Sequence, residues 1–434
     1  MGFTASATLI VALFVLLGAG LWIGLALLGV GWIGMMVFTD RPIVNLLGNK
    51  VWEASSSWTL TALPLFIWMG EILFRSKLSE DMFRGLAPWM SRLPGRLLHT
   101  NVVGCTIFAA ISGSSAATCA TIGKITIPEL RSRGYPEHMT IGTLAGAGTL
   151  GLLIPPSIIM IVYGVIADVS IGKLFIAGVV PGLMLAGLFS GYIVYWALRN
   201  PSKVPAESVH LSFADKIRAG RHLIPAVILI ALVLGSIYSG VATATESAAL
   251  GVIGALALSA VQGALSWETF RTALMGATRL SCMIGLILAG AAFLTLAMGI
   301  TGLPRALAEW IDSLDLSVGA FIAILTVFYV VLGCFLDGIS MVVLTIAVLL
   351  PAVQKLGIDM VWFGIFIVIV VEMAQITPPL GFNLFVLQGM TGHQITFIAA
   401  AAFPLFLLMV AMVVLITVFP QVVTVLPNTM IGRG

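Results

Sequence analysis

Two twelve-residue stretches and two shorter ones hold much of the polar chemistry in an otherwise apolar chain. Residues 148–159 read GTLGLLIPPSII and residues 372–383 read EMAQITPPLGFN. The first gathers Thr149, Pro155, Pro156 and Ser157; the second gathers Glu372, Gln375, Thr377, Pro378, Pro379, Gly381 and Asn383. The shorter clusters are Ser112, Gly113, Ser114 and Ser115, and then Asp337, Gly338 and Ser340. Proline lacks an amide donor and clashes with the preceding turn, so each Pro-Pro pair breaks a helix. A break frees carbonyls on one side and amides on the other. Converging carbonyls and hydroxyls suit a hard cation such as Na⁺, and half-helix N-termini suit an anion. In membrane transporters such breaks lie near the midplane, where substrate and coupling ion bind.

The elements that position these residues are apolar helices. The chain has 434 residues, 60% hydrophobic and 9% charged, against about 25% charged in a soluble domain; mean hydropathy is +1.13. Residues 139–167 carry no Asp, Glu, Lys or Arg, 317–353 carry only Asp337, and 361–392 carry only Glu372. Runs this long exceed the roughly 20 apolar residues that span a bilayer. The fold class is therefore an all-α polytopic membrane protein. The N-terminal apolar stretch, 5–38, is longer than the roughly 7–15 residues of a signal-peptide core and reads as a retained membrane segment. A net charge of +3 gives no footprint for nucleic acid. Cys105, Cys119, Cys282 and Cys334 stand singly and read as packing residues. The five histidines have no metal-ligand spacing.

Basic residues place the loops. Residues 75–96 and 199–222 each hold five Lys/Arg against two acidic residues, and 128–137 add Arg131 and Arg133; these read as cytoplasmic. Segment 100–127 thus begins and ends on the same face, which a re-entrant hairpin with its tip at Ser112–Ser115 satisfies. Two half-helices of about 13 residues reach roughly 20 Å into the membrane and return. In the second half, 301–318 carries Arg305 against Glu309, Asp312 and Asp315, and 351–360 carries only Lys355 and Asp359. Segment 317–350 between them reads as a second hairpin, entered from the outer face.

Pro128 and Pro351 are 223 positions apart (128 to 351), as are Pro155 and Pro378, Pro156 and Pro379, and Pro181 and Pro404. The pattern predicts two inverted-topology repeats, each with a re-entrant hairpin and a Pro-Pro-broken helix. Each is preceded by a surface-lying amphipathic arm, 78–93 or 305–314. The expected organisation is scaffold segments and arm at 1–99, hairpin and broken helix at 100–198, a cytoplasmic linker at 199–222, scaffold and arm at 223–316, and hairpin, broken helix and last segment at 317–434. Asp337 has two readings, ion ligand or cap of the following half-helix. Glu372 also has two, contact with substrate or proton, or a hydrogen bond to amides freed by its own break. Thr243 and Glu246 fit a capping box, and Glu71 reads as interfacial. The chain lacks G-x-S-x-G, H-E-x-x-H and Walker A patterns, so no catalytic residue and no enzyme activity are assigned. A channel remains an alternative from the residues alone.

FAAISGSSAATCATIG (108–123), PELRSRGYP (128–136), GTLGLLIPPS (148–157) and VYG (162–164) resemble the large membrane subunit of tripartite ATP-independent periplasmic (TRAP) transporters. So do GVATATESAA (240–249), FLDGIS (335–340) and EMAQITPPLGFNLFV (372–386). The resemblance covers nearly the whole chain, its motifs in order. It implies sodium-coupled import of a small organic acid across the bacterial cytoplasmic membrane by an elevator movement, with no other cofactor than Na⁺ as coupling ion. Implied partners are an extracytoplasmic substrate-binding protein, the lipid bilayer and a small membrane subunit of about four helices. Because the chain starts with its own first segment, that subunit is expected as a separate polypeptide. The runner-up is a binding-protein-independent sodium/dicarboxylate symporter of a related fold. Matching family positions are Ser112–Ser115, Pro155–Ser157, Asp337–Ser340, and Thr377 through Gly381 with Asn383, with backbone carbonyls doing much of the sodium ligation. Ala244 departs from the pattern where many relatives have proline, which loosens a helix start without touching the site. Impermeant thiol labelling tests the topology: cysteines placed in 301–318 are expected to react from outside and those in 199–222 from the cytoplasm.

Overall fold

The computed structural model describes residues 2–205, 212–302, 304, 309, 311, 313–379 and 381–431. Among these, seven helices are long and apolar enough to cross a membrane, and the bent pair 43–55 and 58–74 passes the same test together. The apolar stretch 5–38, read as one segment, is two helices, α1 (Gly2–Gly18) and α2 (Ile23–Phe38), packed on each other. After α3 (Ile43–Ser55) and α4 (Ala62–Phe74) comes the arm, α5 (Leu78–Met90). Its Leu78, Met82, Gly85 and Leu86 are buried on one face, as the amphipathic pattern requires. Glu71, near the end of α4, pairs with Arg75 one turn on, both half-buried.

The first hairpin is α6 (His99–Ser112) and α7 (Ser115–Ser132), in contact along their length. The first broken helix follows as α8 (Glu137–Gly148), the single turn α9 (Leu150–Leu153) and α10 (Ile158–Ala167). A long helix, α11 (Ile171–Arg199), leads to the linker. The linker is not irregular throughout: α12 (Phe213–Gly220) packs on the arm, where the Trp89 and Phe213 rings meet edge to face at 6.2 Å.

The second half opens with α13 (Ile224–Tyr238), α14 (Ala244–Val261) and α15 (Trp267–Thr301). The second arm, 305–314, lies largely outside the described residues. The second hairpin is α16 (Val318–Leu332) and α17 (Gly338–Lys355). The second broken helix is α18 (Met360–Gln375) and α19 (Phe382–Thr391), followed by α20 (Ile395–Val418) and α21 (Gln421–Ile431). In α18 every residue from Trp362 to Gln375 is buried, and in α8 every residue from Met139 to Gly148. Helices enclosed on all sides belong at the centre of the bundle. Around them α7 packs on α19, and α17 on α10. The two hairpins thus cross over, each laying its second helix against the other half's broken helix. Farther out, α2 packs on α15 and α14 on α4. Cys105 and Cys119 are buried as expected of packing residues, whereas Cys282 is exposed and does not pack inside this chain.

Among the described residues, side chains start eight of these helices. Thr243 and Glu246 form the expected capping box: Glu246 Oε2 accepts from Thr243 N at 2.8 Å, and Thr243 Oγ1 accepts from Glu246 N at 3.3 Å. Satisfying two otherwise unpaired amides is worth about 1 kcal/mol. Thr243→Ala is therefore expected to lower the thermal unfolding temperature of the purified protein, with Thr243→Ser close to the parent.

Candidate functional site: two hairpin tips seated on two helix breaks

At the first tip the chain reverses through Gly113, in the left-handed region at φ +61°. Ser112 and Thr118 hydroxyls meet across the turn at 2.7 Å. Ser114 Oγ accepts from Ala117 N at 3.4 Å and so starts α7. The tip rests on the first Pro-Pro break. Ile158 N donates to Gly113 O at 3.3 Å, and a Cβ on Gly113 would come within 2.7 Å of Pro156 O. Gly151 faces Ser114 O and Ser115 Cα in the same way, each 2.6 Å from where a Cβ would stand. Ser157 Oγ accepts from Met160 N at 3.3 Å and starts α10.

The second tip repeats this arrangement with different chemistry. Cys334 Sγ contacts Pro378 O at 3.4 Å. Gly333 lies against Ala374, and Gly338 against Val371 and Gln375. Asp337 caps α17: Oδ2 accepts from Ile339 N at 3.2 Å and Ser340 N at 3.4 Å, and Ser340 Oγ donates to Oδ1. A cavity of about 210 Å³ opens between tip and break, bordered by Gly333, Phe335, Asp337, Gln375, Phe382 and Phe385. In both breaks the peptide bond between the two prolines is cis.

Three of the four half-helices that restart after a break or tip are capped by a side chain: Ser114, Ser157 and Asp337. The fourth, α19, begins after Gly381 with no side-chain cap. There the carbonyls of Gln375 and Thr377 border one space, 2.7 and 2.8 Å from where a Gly381 Cβ would stand. The backbone thus packs tightly against Gly381, with no room for a side chain. Asn383, fully buried at the junction with Gly148 and Cys119, has neither amide atom hydrogen-bonded among the described residues.

Not every sequence candidate reaches these contacts. Thr149 turns back, its hydroxyl donating to Gly146 O at 2.6 Å beside Met409. Thr377 Oγ1 donates to Met373 O at 2.6 Å and closes the last turn of α18. Glu372 does not brace the amides of its own break: Oε1 accepts from Ser115 Oγ of the first hairpin. Sequence reading overlooked Gly151, Gly333 and the Cys334 contact. The signal was there in the first two, since small residues in membrane helices mark close backbone approach.

A family model described as "Tripartite ATP-independent periplasmic transporter, DctM component" matches residues 10–422. The chain belongs to this family. It is a multi-pass membrane protein and a transporter permease, not an enzyme. It is similar to the C4-dicarboxylate TRAP transporter large permease protein DctM of Pseudomonas aeruginosa, 33% identical over 390 residues, 89% of this chain and 90% of that one. It is also similar to the isethionate TRAP transporter permease protein DctMQ of Oleidesulfovibrio alaskensis, 31% identical over 413 residues, 95% of this chain and 64% of that longer protein. Among solved structures, the Alcanivorax borkumensis YdaH transporter shares the fold, with a TM-score of 0.63 at 15% identity, over 92% of this chain and 97% of that one.

Gly113 offers a direct check on the seated tip. Gly113→Ala places a side chain in the left-handed region at about 1–2 kcal/mol and pushes Pro156 away. Gly134, at φ +80° with open space around it, bears the first cost alone. Gly113→Ala is expected to reduce both thermal stability and uptake by the reconstituted permease well beyond Gly134→Ala.

Proposed function

We propose that this permease imports a small organic acid by sodium-coupled secondary active transport. In this reading a soluble extracytoplasmic binding protein delivers the acid, and a small membrane subunit completes the scaffold. The observation that carries the reading is the double seating of a hairpin tip on a proline break. A bilayer interior offers no water to satisfy broken backbone, so such breaks persist where they face protein or a polar cavity. The relatives named for C4-dicarboxylate and isethionate support a small organic anion as cargo. An uncapped start to α19 beside a 210 Å³ cavity supports anion binding at the second half, because a half-helix N-terminus attracts negative charge. The Gln375 and Thr377 carbonyls, close together at the second break, support Na⁺ nearby.

We further infer that the two tip-and-break units are inverted repeats that move together as an elevator. The crossed packing of α7 on α19 and α17 on α10 supports one moving body, with α2, α4, α14 and α15 as its frame.

The test is uptake into proteoliposomes holding the complete complex with its binding protein. Uptake is expected to require an inward Na⁺ gradient and the binding protein; uptake without the binding protein points instead to a stand-alone symporter. Ser114→Ala and Thr377→Ala, which loosen the first tip and the second break, are expected to raise the half-saturating Na⁺ concentration severalfold. Unchanged Na⁺ dependence in both refutes this placement of the ion sites.

A further inference from the structure

One turn of α18 touches both hairpin tips. On one side, Val371 Cγ1 and Gln375 Nε2 stand 2.7 and 2.9 Å from where a Cβ on Gly338 would lie, and Ala374 abuts Gly333. On the other, Glu372 reaches the first hairpin and accepts the Ser115 hydroxyl, a contact between residues 257 positions apart. Glu372 is fully buried and Ser115 is 3% exposed. Oε1 carries this bond, while Oε2 has no partner among the described residues.

Ser115 is the first residue of α7, directly after its cap at Ser114. Fixing Ser115 therefore fixes where the whole tip sits. The tip has a second anchor in its own half, the Ile158 N to Gly113 O bond. It is thus held from both halves at once. Hydrogen bonds enclosed in a low-dielectric interior are stronger than those in water.

We propose that Glu372 is a positioning residue, which through Ser115 seats the first hairpin tip in register with the second and so couples the two half-sites. The role of the coupling rests on the sodium reading above; the seating itself does not. The acceptor oxygen does this, so an amide can replace the carboxyl. Oε2 accepts no hydrogen bond, and exchanging it for an amide NH₂ removes none. Leucine keeps the bulk and removes the acceptor.

The test combines uptake with tip accessibility in the complete reconstituted complex. The background carries Cys282→Ser and Cys334→Ser, since Cys105 and Cys119 are enclosed; the serine hydroxyl keeps a donor for Pro378 O, and every rate is compared within this background. Ala116→Cys reports on the first tip and Phe335→Cys on the second, read as rates of alkylation by N-ethylmaleimide. Loss of one buried hydrogen bond is expected to raise labelling of Ala116→Cys by about tenfold in Glu372→Leu and in Ser115→Ala. Labelling of Phe335→Cys stays near the parent rate. The same two variants need more Na⁺ for half-maximal uptake and respond to it less cooperatively. Glu372→Gln restores parent labelling and parent Na⁺ response.

Unchanged labelling of the first tip in Glu372→Leu overturns the proposal. So does a Gln variant that keeps the tip closed yet loses Na⁺ activation, because the charge would then act on the ion itself. If Glu372→Leu opens both tips, as a misfolded carrier would, Ser115→Ala decides: a first tip labelled at the parent rate there overturns the proposal. Uptake by the unsubstituted complex that ignores Na⁺ sinks the sodium reading alone, since the labelling result needs no sodium.

Discussion

Backbone polar groups released inside hydrocarbon must find partners within the protein, because lipid offers none. Among the described residues, the tips and breaks of the candidate site lie at Gly113, Pro155-Pro156, Gly333–Asp337 and Pro378-Pro379. Each break could remain only by being seated on another. The first tip gives its Gly113 carbonyl to the first break, and the second break gives its Pro378 carbonyl to the second tip. Burial of α8 and α18 on all sides follows, since they bring the breaks to the middle of the bundle.

The same constraint explains where side chains appear. Ser114, Ser157 and Asp337 each satisfy amides at a restarted helix, and removing such a cap costs about 1 kcal/mol. Polar residues at three of the four restarts are thus committed to structure before any ligand arrives. At the fourth, Gly381 offers no side chain to the first amides of α19. The four restarts therefore differ at one helix start. The Asp337 carboxylate is spent largely on Ile339 and Ser340, which favours the capping side of its two readings without removing its remaining lone pairs.

Much of the architecture was legible in the residues. Adjacent prolines remove two amide donors from one turn, so Pro155-Pro156 and Pro378-Pro379 announced breaks, whereas the single prolines Pro128, Pro181, Pro351 and Pro404 are carried inside helices. Gly113 among serines announced a turn, and Thr243 with Glu246 announced a helix start; both are local chemistry acting within four residues. Less was legible where an element is interrupted by conformation alone. The stretch 5–38 contains no proline, and its first helix, ending at Gly18, is followed by Gly20 in the left-handed region at φ +80°, one glycine among many in the segment. Residues 213–220 sit in a polar linker, yet form a helix because Phe213 and the buried Lys216 have the arm to lie against.

The sequence by itself determined the solvent, the breaks and the caps, because each follows from the chemistry of a residue and its near neighbours. It also carried, in its motif order, the membership of the DctM family. Tertiary structure alone decided the pairings. Glu372 was a buried acid with two readings until folding brought Ser115 to it from the other half. Contacts between residues more than two hundred positions apart depend on how whole helices pack, and no spacing within one segment encodes that.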